Sequence, residues 1–170
     1  MLPLVSTPAF ANVVEQASRV IDRWAAAYSA QDASGVVKLY TADAIVFGTA
    51  RPLVFDGTGP IAAAFAGLAE SANTVRICRR QALVIGPDSV LVTGSYEFQT
   101  LAHGVGKSIR DRFTMLIVKQ EGGWQISYHT TSDPQPGPDS SIERTAAVAE
   151  NTSDLPIAPP DAEQQDGCRG

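Results

Sequence analysis

The sequence predicts an α+β fold, a strongly curved antiparallel sheet packed around a long N-terminal helix. Three observations lead there. The first third of the chain has helical spacing, the middle reads as strands joined by hairpin-sized turns, and after Asp133 the composition changes. At 170 residues and 44% apolar content, the chain is long enough for one domain with a real core.

Over residues 12–31, Val13, Ala17, Val20, Ile21, Trp24, Ala25 and Tyr28 recur at intervals of three and four, with Glu15, Arg19, Asp22 and Arg23 between them. This is an amphipathic helix with one apolar stripe. Asp32 or Ser34 caps a short second helix near 35–40. Ala44–Phe47 reads as a short buried strand. Asp56–Pro60 is a turn, and Pro60 suits the first turn of a helix over 61–70. Strands follow over 74–85, 90–100, 107–119 and 124–131, with Gly86–Ser89 as one turn and 101–106 as a glycine-containing loop. Beyond Asp133, prolines accumulate and large apolar residues thin out, so this stretch has little to bury. The expected organisation is an N-terminal extension (1–11), one domain (12–133) and a largely disordered acidic tail (134–170). Ser140–Glu143 resembles a capping box for a brief helix near 141–150.

Charge narrows the function classes. Residues 1–132 hold 11 basic and 10 acidic side chains, whereas residues 133–170 hold 2 and 8. The body is near neutral, without the basic face that nucleic-acid binding requires. No apolar run approaches the ~20 residues needed to span a bilayer. The N-terminus lacks a basic region preceding an apolar one, and Cys78 and Cys168 read as free thiols, so a cytoplasmic protein is expected. No phosphate loop, dinucleotide fingerprint or His/Cys metal spacing is present, and no cofactor or metal is expected. His103 lies in a loop and is expected to be exposed.

The order Trp24, Tyr28, Asp32, Leu39–Ala44, Asp56–Gly57, Arg112–Thr114, Gly123–Trp124, His129 and Ser132 resembles the SnoaL-like branch of the nuclear transport factor 2-like superfamily. It is most similar to the SgcJ/EcaC proteins and the association (hub) domain of calcium/calmodulin-dependent protein kinase II, over residues 12–134. The resemblance implies a cone-shaped (cystatin-like) α+β barrel, an internal pocket for a small hydrophobic or carboxylate ligand, and a homodimer. It places Trp24, Tyr28, Tyr40, Phe47, Tyr96 and Phe113 as pocket candidates. Ketosteroid isomerases of this fold carry a carboxylate base after the first strand and a tyrosine donor on the first helix; here those positions hold Gly48 and Trp24. The acid that scytalone dehydratases place beside a helix tyrosine is replaced by Ser29 after Tyr28. The hub-domain arginines fall on Met115 and Thr131.

The last hairpin offers the remaining chemistry. With Gln120–Gly122 as a three-residue loop, Phe113 faces His129. One strand face then holds Asp111, Phe113, Met115, Ile117, Gln125, Ser127 and His129; the other holds Arg110, Arg112, Thr114, Leu116, Trp124, Ile126 and Tyr128. Asp111 lies diagonal to His129, so the two can act as orienter and general base. The alternative is that His129 bonds a backbone group and Asp111 pairs with a neighbouring arginine. Arg112 either grips a carboxylate in the pocket or joins Trp124 and Tyr128 in an outer dimer seam, which the register favours. Two functional readings follow. One is a non-catalytic ligand-binding or association domain, favoured by the missing catalytic groups. The other is a polyketide cyclase- or isomerase-type enzyme using His129 and Asp111.

Overall fold

The computed structural model describes residues 8–48, 54–102, 105–132 and Cys168. Helix α1 (Pro8–Ser29) begins four residues before the predicted start and buries Ala17, Val20, Ile21 and Trp24, the stripe that the spacing predicts. It ends as Gln31 takes a left-handed backbone (φ 55°) and its amide donates to the carbonyls of Ser29 and Asn73. Asp32 caps α2 (Ala33–Val37) by accepting the Gly35 N–H at 2.8 Å. Strand β1 (Tyr40–Phe47) starts earlier than predicted. It is followed by a short β2 (Val54–Asp56), α3 (Thr58–Phe65) and a 3₁₀ turn (Ala66–Glu70). Four long strands complete the sheet: β3 (Thr74–Gly86), β4 (Ser89–Ala102), β5 (Val105–Gln120) and β6 (Gly123–Ser132).

The strands lie in the order β2-β1-β6-β5-β4-β3, a curled sheet that does not close, with β2 and β3 as its edges among the described residues. The β2 strand is too short for an alternation signal and was not expected. The β1–β6 pair is parallel, a departure from the all-antiparallel expectation. The concave face packs on α1 and holds the core, with Val90, Val92 and Tyr96 from β4, Phe113, Met115 and Ile117 from β5, and Ile126 from β6. Ser29 ties α1 to the β3 edge, accepting from the Val75 N–H and donating to its carbonyl. Gly94 is required where Phe113 crosses β4: a Cβ there would lie 2.1 Å from the Arg79 carbonyl oxygen and 2.8 Å from the Phe113 ring.

The β5–β6 hairpin departs from the predicted register twice. The turn has two residues, so Gln120 pairs with Gly123, which takes φ 109°. A bulge between Leu116 and Ile117 then shifts the pairing again, so Met115, not Phe113, faces His129. Two shifts of one residue preserve parity, so Asp111, Phe113, Met115, Ile117 and His129 do share the concave face. Between turn and bulge the parity is reversed. Trp124 and Ile126 therefore point inward, and the Trp124 ring is 8% exposed, donating to Gln16 on α1 at 2.8 Å.

The two cysteines, expected as free thiols, form a disulfide, Cys78–Cys168, so the cytoplasmic expectation loses one of its supports. No described helix is long and apolar enough to cross a membrane. The acidic tail, its brief helix near 141–150 and His103 lie outside the described residues, Cys168 excepted.

Candidate ligand cavity and its buried histidine

The sheet's curl leaves space that α1 and α3 cover but do not fill. A cavity of about 290 Å³ remains, walled by Trp24 and Tyr28 of α1, Val46 and Gly48 at the end of β1, Phe55 of β2, Ile61, Ala64 and Phe65 of α3, Tyr96 and Phe98 of β4, Asp111 of β5, and His129 and Thr131 of β6. Its wall is mostly aromatic and aliphatic with a few polar groups, the usual make-up of a small-molecule site.

His129 is 2% exposed. Its ring lies edge-on to Trp24 at 5.4 Å and to Tyr96 at 6.5 Å between ring centres. Burial pushes its pKa down to about 3, so the imidazole is neutral at ordinary pH. Behind it runs a chain of hydrogen bonds. The Trp24 indole N–H donates to the Tyr40 hydroxyl at 3.0 Å, and that hydroxyl lies 2.8 Å from His129 Nδ1. The indole can only donate, so the Tyr40 oxygen accepts from it and its single hydrogen goes to the one acceptor in its reach among the described residues, Nδ1. That polarity assigns the ring hydrogen to Nε2. Nε2 is buried and has no hydrogen-bond partner among the described residues. The neutral ring therefore offers an N–H donor on the cavity wall; its lone pair is occupied by Tyr40.

Asp111, 7% exposed, sits on the same wall. It does not pair with His129. Since His129 faces Met115, Asp111 lies four residues further along β5, about 13 Å at strand spacing. The side chain within hydrogen-bond distance of the His129 ring is Tyr40. Asp111 is instead opposite Tyr96 in the β4–β5 register. Burial first, and the Asp111 charge second, hold the Tyr96 phenol far above its usual range, with Thr131 opposing. Burial likewise raises Tyr40 and Tyr28, opposed by hydrogen bonds from Trp24 and Asn73 respectively.

The predicted pocket residues divide. Trp24, Tyr28 and Tyr96 line the cavity. Tyr40 stands behind His129, and Phe113 stacks on Tyr96 at 5.1 Å from within the core; neither is in the wall. Phe47 points the other way: in β1, Ala44 and Val46 face inward while Ile45 and Phe47 face out, and Phe47 is 38% exposed against Tyr128. Of the expected seam, Arg112 and Tyr128 are on the outer face and Trp124 is not. The α3 wall residues and Phe55 were missed. Their low-contrast run of alanines and single aromatics carries no signal beyond helix or strand; Thr131 was discoverable by alternation from His129.

A family description, the SnoaL-like domain, matches residues 17–136, more than half of the chain. The chain belongs to the SnoaL-like domain family. Solved structures agree on the fold of this SnoaL-like chain. A provisionally labelled calcium/calmodulin-dependent protein kinase II association domain from Xanthomonas campestris is 24% identical, with a TM-score of 0.65 over 69% of this chain and 85% of that one. A provisionally labelled scytalone dehydratase from Novosphingobium aromaticivorans has a TM-score of 0.69 at 8% identity, covering 74% and 87%. A provisionally labelled dehydratase of the nuclear transport factor 2-like family from Streptomyces avermitilis gives 0.68 at 18%, covering 76% and 100%. No curated protein sequence matches. At these identities the neighbours show the SnoaL-like fold alone, since one fold hosts many activities. Gly48, where the sequence resemblance placed an isomerase base, is in the cavity wall and brings no side chain to it.

Proposed function

We propose that this SnoaL-like domain binds a hydrophobic small molecule bearing an acceptor oxygen, such as a ketone, with His129 Nε2–H as the donor that orients it. The observation carrying this reading is a neutral, buried imidazole on an apolar cavity wall whose outer nitrogen has no partner among the described residues. A buried donor left unsatisfied costs about 1–3 kcal/mol, and a ligand oxygen recovers it. The test compares an aryl ketone with its hydrocarbon isostere by calorimetry. The ketone should bind roughly three- to tenfold tighter, one neutral hydrogen bond, and His129→Phe should erase the difference. Equal binding of the two to the wild type would refute the donor role; no binding of either would refute the pocket.

Asp111 favours a second, catalytic reading. A buried carboxylate on the wall that also holds a neutral donor suits proton removal beside a carbonyl, with His129 stabilising the oxyanion. In that scheme Asp111 is the base and His129 the electrophile, which reassigns the roles expected from sequence. Deuterium exchange at the α-carbon of the bound ketone, lost in Asp111→Asn, would support it. Homodimerisation is proposed through the outer face of β1, β6 and β5, where exposed Ile45 and Phe47 pack around half-buried Tyr128 and where Arg112 also faces outward. The cytoplasmic location remains an expectation.

A further inference from the structure

Three side chains able to hold a metal ion meet on the outer face of the sheet. Register pairs Arg76 of β3 with Glu97 of β4, and Ile77 with Tyr96. Tyr96 is buried on the concave side, so Glu97 faces outward. A bulge between Ile77 and Arg79 breaks the alternation and brings Cys78 beside Glu97. Cys168 completes the group. The sulfurs of Cys78 and Cys168 and a Glu97 carboxylate oxygen all lie within 4.8 Å of one another. The two cysteines are joined as a disulfide, with 5.1 Å between their Cα atoms.

The surroundings orient these groups. Arg76 donates to Glu97 Oε2 at 2.9 Å; Gln99 donates to Oε1 at 3.2 Å, and Ser108 of β5 donates to the same oxygen. A carboxylate has about four acceptor sites, so one remains for an ion. Hydrogen bonds that fix a ligand from behind are a regular feature of metal sites. Cys168 is held too: it is 5% exposed, and its carbonyl accepts from Arg110 at 3.0 Å. Two sulfurs and one oxygen suit a borderline-soft ion such as zinc, whereas calcium and magnesium take oxygen ligands. In a tetrahedral zinc site the ligand atoms stand roughly 3.5 Å apart, inside the 4.8 Å spread of these three. Two thiolates and a carboxylate outweigh the charge of the ion by one, and Arg76 lies against the carboxylate to offset it.

We propose that the reduced chain binds one zinc ion through Cys78 Sγ, Cys168 Sγ and a Glu97 oxygen, with water in the fourth position, and that the Cys78–Cys168 disulfide is the metal-excluding state of the same site. The switch begins with thiol–disulfide exchange against a small thiol such as glutathione. The protein S–S bond breaks, an S–S bond forms between two reagent thiols, and their two protons end on Cys78 and Cys168. Zinc then replaces those two protons, which leave to solvent. A small-molecule disulfide runs both steps backward: it is reduced to two thiols with uptake of two protons, the protein S–S bond re-forms, and the ion is released. The ligands come from positions 78, 97 and 168, so no local spacing marks them in the sequence.

The experiment is a titration of the full chain with Co²⁺, followed by displacement with Zn²⁺, on phosphine-reduced and on oxidised protein. The reduced chain should take up one Co²⁺ per chain. It should show thiolate-to-cobalt charge-transfer absorption and the intense visible bands of a four-coordinate ion, and Zn²⁺ should bleach both. The oxidised chain should show neither. Cys78→Ser/Cys168→Ser should remove the charge-transfer band. Glu97→Gln, a change on the outer face, should keep that band and weaken affinity at least about tenfold, the lower end of what loss of an outer-shell partner costs. Absence of thiolate absorption in the reduced chain, equal uptake by the oxidised chain, or one ion shared by two chains would overturn the site. An affinity unchanged in Glu97→Gln would overturn the assignment of its third ligand.

Discussion

Acid should destabilise this domain through His129, and the size of the effect follows from its burial. His129 titrates near 6.5 in an unfolded chain and near 3 in the folded one, because burial disfavours its charged form. Between those values the unfolded chain binds a proton that the folded chain does not, so stability falls as pH drops below about 6.5 and continues to fall until the folded histidine protonates near 3. Integrated from about pH 7.5 to about pH 5, the loss is about 2 kcal/mol, or roughly 8 °C in melting midpoint for a domain of this size. Tyr40 and Tyr96, which face the ring, stay neutral throughout this window, since burial moves both upward. Contributions that the wild type and a His129 variant share cancel when the two are compared, so the measurement is a difference. Urea unfolding of the wild type and of His129→Gln is followed at both pH values; the glutamine keeps an acceptor for Tyr40 but takes up no proton. The wild type should lose about 2 kcal/mol more than the variant. Parallel losses would show that His129 is not buried neutral, and the donor assignment in the cavity would fall with it.

Tyr40→Phe removes the hinge of the Trp24–Tyr40–His129 chain and leaves two buried polar groups without their partner. It should cost about 1–3 kcal/mol by chemical denaturation. Gly94→Ala drives a Cβ into the Arg79 carbonyl and the Phe113 ring, so a loss of about 1–3 kcal/mol is expected from the same assay. Arg112→Glu should shift sedimentation toward the monomer if Arg112 flanks the dimer seam; an unchanged profile rejects that placement.

Much of the architecture was legible because it depends on periodicity. The α1 stripe, the β3–β6 succession and the concave set on β5 each follow from spacing that a helix or strand imposes. What could not be read were events of one residue. The two-residue turn and the Leu116–Ile117 bulge leave no distinctive residue type, yet together they decide that Trp124 faces α1 and that Asp111 is out of reach of His129. Phe47 was misplaced for a related reason. In a run as apolar as Ala44–Phe47, alternation has no contrast, and both faces look inward from sequence. The Cys78–Cys168 pairing spans 90 residues and no spacing rule foretells it.

The cavity's chemistry comes from a long-range arrangement. Trp24 belongs to α1, Tyr40 to β1 and His129 to β6, and each contributes one link whose direction is forced by what its atoms can do. An indole can only give a hydrogen. A phenol that has accepted one can pass its own to one acceptor, and a neutral imidazole that accepts at Nδ1 must carry its hydrogen at Nε2. The donor on the cavity wall is thus the end of a polarised line anchored in the core. Breaking any link should change both stability and ligand preference, whereas changing a wall residue such as Phe65 or Phe98 should alter which molecules fit while leaving the tautomer in place. Nitrogen NMR of His129 separates these cases, since the two tautomers differ in which ring nitrogen is protonated. A spectrum showing the hydrogen at Nδ1 would reverse the Tyr40–His129 link and restore Nε2 as a proton acceptor.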